Sequence, residues 1–134
     1  MMLEEQLENR MFLNKAGAFS IRRSSRSVAE SLAYSSEILS DSNNLLLMFP
    51  QGKFETLYTR YFVFESGIER ILSGLPEPPE VYFMVNLVEY FARQKPSLFI
   101  RIIKHEGDLS KAGLQEAYNR FFDKCVAKQS EDLV

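Results

Sequence analysis

The chain has 134 residues, a length that suits one domain with a hydrophobic core but not two domains. Apolar residues make up 46% of it and charged residues 25%, a composition typical of a soluble globular protein and not of a disordered one. The formal net charge of −2 argues against nucleic-acid binding. The single cysteine, Cys125, excludes an internal disulfide and a cysteine-cluster metal site, and it suits a reduced, cytoplasmic setting.

The N-terminal part shows neither a membrane span nor a signal peptide. No stretch reaches the roughly 18 consecutive apolar residues of a span, so we expect any membrane contact to be peripheral. Residues 3–14 predict a short amphipathic helix and residues 18–22 a short strand. Ser24 and Ser25 then predict the cap of a helix, because serine hydroxyls accept backbone N–H groups there. Its predicted inner face comprises Val28, Ala29, Leu32, Ile38 and Leu39.

Five large apolar residues, Leu45–Phe49, predict a strand buried on both faces. Pro50 lacks an N–H donor and Gly52 permits unusual backbone angles, so the chain is expected to turn directly after that strand. The order strand, helix, strand over residues 18–49 predicts a right-handed crossover and parallel pairing. The turn would lie at the carboxyl end of a strand, where open α/β sheets bind ligands. A core strand followed by a plain surface turn is the alternative interpretation.

The remaining elements follow from apolar runs and spacing. The final helix is the clearest, because its apolar residues recur every three or four positions. A docked helix is the simplest interpretation of that stripe, in which Cys125 is inert packing. The predictions are a loop over residues 54–64, a helix over 66–73 ending at Gly74, a stiff connection over 76–79, neighbouring strands over 81–88 and 97–104, a helix from Ser110, and a frayed tail over 128–134.

Four short blocks together resemble the glycerophospholipid acyltransferases, a PlsC-like family that includes lysophospholipid and 1-acylglycerol-3-phosphate acyltransferases. Gly17–Arg23 is similar to the family block in which an Arg follows a Gly by six positions. Phe49–Lys53 resembles its Phe-Pro-Glu-Gly-Thr-Arg block. Phe64–Ile71 is similar to an apolar, Gly-containing segment that opens a helix, and Val81–Asn86 to a later strand. The blocks occur in the family's order over about residues 1–100.

The resemblance and the apolar pattern together predict one acyltransferase-like domain over residues 1–134. Its fold is expected to be α/β, with a mixed, largely parallel sheet and helices on its faces. The resemblance implies transfer of an acyl group from a thioester, acyl-CoA or acyl carrier protein, to the hydroxyl of a glycerol phosphate or lysophospholipid. No bound cofactor and no metal are expected. It also implies a cytoplasmic protein, in peripheral contact with the inner face of the membrane.

The family's general base is the His of a His-x-x-x-x-Asp motif, which precedes the other blocks. This motif has no counterpart here: the single histidine, His105, follows the last predicted strand, where a solvent-facing loop residue is the simpler interpretation. Met1–Leu3 resembles the segment that follows the motif, so we expect a chain that begins late. No catalytic residue is therefore assigned, and the chain is expected to be inactive or weak by itself.

The resemblance implies that the acceptor-binding residues remain. Arg23 would contact the acceptor phosphate, with Arg26 nearby on the following helix and Lys53 as a second positive charge. The Gln51 amide and the Gly52 backbone would orient the head group, although Gln51 replaces the commoner Glu. A solvated charge is the alternative interpretation of Arg23. The complete set of expected substrate-binding residues is Gly17, Arg23, Arg26, Pro50, Gln51, Gly52 and Lys53.

Two other interpretations of the whole chain stay open. One is a non-catalytic module that binds a phospholipid head group or a protein partner through the same cleft. The other is a non-functional remnant that folds poorly. Serine nucleophile chemistry at Ser24–Ser27 lacks a matching base, and Gly52-Lys53 lacks the preceding Gly that a phosphate-binding P-loop requires.

Overall fold

The computed structural model describes residues 2–3, 20–21, 25–90 and 94–131. These residues form two compact units, one of residues 1–53 and 65–79 and one of residues 54–64 and 80–134. The strands and helices are β1 (Met2–Leu3), β2 (Ser20–Ile21), α1 (Ser25–Leu39), α2 (Gly67–Ser73), β3 (Val81–Glu89), β4 (Ser97–His105) and α3 (Lys111–Glu131). No helix in these ranges is long and apolar enough to cross a membrane.

The predicted α/β fold with a largely parallel sheet is wrong. Parallel pairing within the described ranges is confined to β1 and β2, two residues each, with Met2 opposite Ser20. The other sheet is an antiparallel pair, β3 with β4. Residues 45–49 form no strand, and Leu45 is 87% exposed. The crossover predicted over residues 18–49 therefore does not form, because an apolar run becomes a strand only where a neighbour pairs with its backbone groups.

The first unit packs α1 against α2. Of the predicted inner face of α1, Leu32 is buried and Ala29 is exposed. Gly67 lies at this helix contact, and a Cβ there would meet Leu32 Cδ2 at an ordinary 3.4 Å. Ser36 is also buried, and its hydroxyl donates to the carbonyl of Ile71 at 3.0 Å. The helix predicted to end at Gly74 is confirmed as α2. The bond from the buried Ser36 hydroxyl to a backbone carbonyl joins this helix to α1.

The second unit is built on α3, the helix predicted from Ser110. Its buried apolar residues include Leu114, Phe122 and Cys125, which confirms the predicted stripe. Val85 of β3 packs in one cluster with Phe122 and Cys125. The hairpin of β3 and β4 confirms the two neighbouring strands expected from the sequence, with Val81 opposite His105 and Glu89 opposite Ser97.

The outward face of the hairpin is apolar as well. Strand alternation buries Phe83 and Val85 on one face, and the cross-strand pairs on the other face include Val88 with Leu98 and Met84 with Ile102. Leu98, Ile100 and Ile102 are more than half exposed. At one end of this face Lys104 donates to Glu80, and this bond lowers the pKa of Glu80 and raises that of Lys104.

Residues 61–64 form the loop segment that the sequence predicted, but helix side chains bind its backbone directly. Asn119 of α3 is buried, its Oδ1 accepts the Phe62 N–H at 2.7 Å, and its Nδ2 donates to the Phe62 carbonyl at 2.9 Å. One turn earlier, Gln115 Oε1 accepts the Phe64 N–H at 2.8 Å. The two amides replace a neighbouring strand, so an extended segment is satisfied without a sheet.

We expect Asn119→Ala to lower the free energy of unfolding by about 1–3 kcal/mol, because it leaves the buried N–H and carbonyl of Phe62 without partners. Urea titration followed by far-ultraviolet circular dichroism measures the change. Asn86→Ala is the matched control, since Asn86 is exposed on the outward face of the hairpin, and it should change stability by less than about 0.5 kcal/mol. Equal effects of the two substitutions would contradict the role assigned to Asn119.

Candidate functional site

The predicted turn after residue 49 is present and is tightly closed. The Gly52 N–H donates to the Phe49 carbonyl at 3.1 Å, which makes residues 49–52 a β-turn with Pro50 at its second position. Gly52 has a φ of 64°, a left-handed conformation that residues with a side chain adopt at a cost. The Pro and Gly that the sequence singled out therefore have the backbone roles that their chemistry predicts.

This turn contacts a second of the four blocks. The Glu65 N–H donates to the Pro50 carbonyl at 2.8 Å, and a Cβ on Gly52 would lie 3.2 Å from Glu65 Cγ. Glu65 directly precedes Ser66, the N-cap residue of α2. The block Phe49–Lys53 and the start of the helix in the next block are thus joined by one backbone hydrogen bond. Gln51 is half-buried in this arrangement and Lys53 is exposed.

The other predicted binding residues, Gly17, Arg23 and Arg26, do not belong to this turn. Gly17 and Arg23 lie outside the described residues. Arg26 lies in the first turn of α1, and its Nε donates to Glu30 Oε1 at 3.0 Å on an exposed part of the helix. This ion pair places a carboxylate beside the guanidinium, so Arg26 already has an anionic partner in the structure. Of the seven predicted residues, the structure brings together Pro50, Gln51, Gly52 and Lys53, which are consecutive.

His105 has a structural environment rather than a catalytic one. It is the last residue of β4, not a loop residue, and its ring lies 5.0 Å from that of Phe83. Its Nε2 lies 3.0 Å from the backbone carbonyl of Asp108, whereas the Asp108 carboxylate accepts the N–H and hydroxyl of Ser110. These bonds lower the pKa of Asp108. The Ser110 hydroxyl in turn accepts the Gly113 N–H at 3.1 Å, so Asp108 and Ser110 together cap α3.

The described ranges contain no group of three or more His, Cys, Asp or Glu residues that could hold a metal ion. A groove beside α1 and α2 is lined by apolar and small side chains together with Arg70 and Glu37. Sequence reasoning did not single out this groove, and its two opposite charges give it no preference for an anion or a cation.

No protein-family model matches this chain, and no curated protein and no solved structure is detectably similar to it. The resemblance to glycerophospholipid acyltransferases therefore stays a prediction from four short blocks.

We expect Gly52→Ala to loosen the turn, because alanine in the left-handed region costs about 1–2 kcal/mol. The hydrogen bond from Glu65 to Pro50 would then open more often, and the Glu65 amide should exchange with solvent about 5–30 times faster. Hydrogen exchange followed by NMR measures this rate. Gly107→Ala is the control, since its Cβ would meet His105 at an ordinary 3.4 Å. An unchanged Glu65 rate in Gly52→Ala would contradict the closed turn.

We expect Cys125 to be unreactive in the folded protein. It is buried against Val85 and Phe122, and burial raises the pKa of its thiol, so the thiolate that reacts is scarce at neutral pH. Labelling with a chromogenic disulfide reagent should be at least about 100 times slower in buffer than in denaturant. Every labelled thiol is Cys125, because the chain has one cysteine. Equal rates in buffer and denaturant would show that the thiol is accessible.

Proposed function

We propose that this chain carries the acceptor-binding part of an acyltransferase-type domain of glycerolipid metabolism. In the reaction we propose, the hydroxyl of a glycerol phosphate or lysophospholipid attacks the thioester of acyl-CoA or acyl carrier protein, and the thiol is released. Arg23 and the turn of residues 50–53 would bind the acceptor phosphate. A cytoplasmic location at the inner face of the membrane belongs to the same proposal.

The observation that carries this proposal is the closed turn at residues 49–52 and its hydrogen bond to Glu65. Two blocks that resemble one family are separated by ten residues in the sequence, 54–63, and here they meet through backbone atoms. A left-handed glycine followed by an exposed lysine is suited to anion binding, since the lysine ammonium carries a positive charge and three N–H donors. An arginine would add two parallel hydrogen bonds to the same phosphate.

A binding role without catalysis is the second candidate, and the surroundings of His105 favour it. The only histidine of the chain contacts a backbone carbonyl, and the nearby Asp108 carboxylate is engaged by Ser110. A His that acts as general base is normally held by a carboxylate on its other ring nitrogen. Without that pair, we expect this chain to bind the acceptor with little or no turnover.

We expect the chain to bind glycerol 3-phosphate, and Arg23→Ala to weaken the affinity by about tenfold or more, since hydrogen bonds to a charged group are worth about 1.5–3 kcal/mol. Isothermal titration calorimetry measures both dissociation constants. Arg120→Ala is the matched control, because Arg120 is exposed and paired with Glu116 in α3. Equal affinities of the unmodified protein and Arg23→Ala would rule out Arg23 as a phosphate contact. No detectable binding by the unmodified protein would count against the proposed function itself.

A further inference from the structure

The loop of residues 54–63 carries three large apolar side chains that are almost fully exposed. Leu57, Tyr58 and Phe54 are 89%, 88% and 85% exposed, more than the apolar residues of the outward hairpin face. Burying each such side chain would raise the constant for partition from water into an apolar phase by roughly tenfold or more. Exposed apolar side chains that lie close together mark interaction surfaces more often than isolated ones do.

The loop tip has a defined conformation. The Thr59 N–H donates to the Thr56 carbonyl at 3.1 Å, which closes a β-turn with Leu57 and Tyr58 at its two central positions. The Tyr58 N–H also lies 3.2 Å from the Thr56 hydroxyl. The hydrogen bonds therefore tie back the residues at the base of the turn and leave the leucine and tyrosine at its apex.

The base of the loop is fixed to α3 by the bonds of Asn119 and Gln115 described above. Phe62 packs against Phe122 with ring centroids 4.9 Å apart and against Tyr118 at 5.6 Å. The anchored end of the segment also includes Tyr61, which is exposed although its hydroxyl accepts a hydrogen bond from Gln115 Nε2 at 2.9 Å. The conformational entropy lost in ordering this end is already offset by folding, so the tip can insert into a partner without a further change in the conformation of the anchored end.

The chemistry of the tip fits a lipid surface. Leucine and tyrosine at the apex of a turn can enter the boundary between head groups and acyl chains. Tyrosine is enriched at that depth, because its ring is apolar and its hydroxyl is polar. The segment carries one acid, Glu55, and one base, Arg60, so its formal charge is zero. Apolar area, and not attraction to anionic lipid, would drive the binding.

We infer that Leu57 and Tyr58 at this tip, together with the exposed Phe54, insert into the surface of a lipid bilayer and hold the second unit at the membrane. This inference does not rest on acceptor binding, which is measured with a water-soluble phosphate and no lipid. It names the membrane-contacting residues, and it makes the contact independent of the charge on the lipid head groups.

The absence of tryptophan in the chain gives a direct test. Leu57→Trp places a single fluorophore at the tip, and Leu98→Trp places one at a leucine that is 58% exposed on the outward hairpin face. On phosphatidylcholine vesicles, emission from Leu57→Trp should shift to shorter wavelength and be quenched by brominated acyl chains, and that from Leu98→Trp should do neither. A response from both, from Leu98→Trp alone or from neither overturns the inference. So does a shift that depends on protein concentration without vesicles, because it would indicate contact between copies.

A second measurement uses the protein without a reporter. Leu57→Ser combined with Tyr58→Ser should lower the vesicle-bound fraction in flotation by about tenfold or more, with an unchanged melting temperature. Leu98→Ser combined with Tyr90→Ser removes the same two residue types from elsewhere in the unit and should leave binding unchanged. Adding phosphatidylglycerol should change the bound fraction less than about twofold. Binding that is seen only on anionic vesicles, or that falls equally in both double variants, contradicts the inference.

Discussion

The arrangement of the second unit depends on two amide side chains of one helix. An extended segment normally satisfies its N–H and carbonyl groups in a sheet, but residues 61–64 bond to Asn119 and Gln115 instead. Because the two amides lie one turn apart on α3, they meet alternate residues of an extended chain. That match directs Phe62 and Phe64 toward the helix and brings their rings into the cluster around Tyr118. Burial in this cluster raises the pKa of the Tyr118 hydroxyl.

The first unit uses backbone atoms for a comparable purpose. One hydrogen bond from Glu65 to Pro50 fixes the turn at residues 49–52 beside the start of α2. Both proposals thus depend on ordered loops with identifiable anchors, and not on helices or strands. The anchors differ in kind, since one is a buried side-chain amide and the other a peptide carbonyl. Each loop can therefore be perturbed alone, by Asn119 substitutions in one unit and by Gly52 substitutions in the other.

The sequence predicts those elements whose residues carry their own periodic signal. α3 follows from the three-four spacing of an apolar stripe that includes Leu114, Tyr118, Phe122 and Cys125. The hairpin follows from two apolar runs joined by a short connection. Leu45–Phe49 was predicted as a strand and is not one, because a pattern shows that a segment is apolar but not which segment pairs with it. The fold class was wrong for the same reason.

The candidate site was predictable to a similar extent. The local chemistry of Pro50 and Gly52 predicts a turn, and a closed turn is observed. Whether Arg23 approaches it depends on contacts distant in sequence that no local pattern encodes. The hydrogen bonds of Gln115 and Asn119 to the backbone of residues 61–64 were not predicted. A signal for them existed, because the two amides lie four positions apart at the edge of an apolar stripe. On a helix that spacing puts both on one side, where they can bind an extended chain.

The hairpin of β3 and β4 bears on the association of copies of this protein at high concentration. It carries large apolar side chains on both faces, and in the described ranges β3 and β4 form a sheet of only two strands. An alternating row of Leu98, Ile100 and Ile102 resembles the segments that stack into fibrils. Asn86 and the linked charges of Glu80 and Lys104 interrupt this row. Polar and charged groups at such positions are of the kind that limits the aggregation of apolar strands.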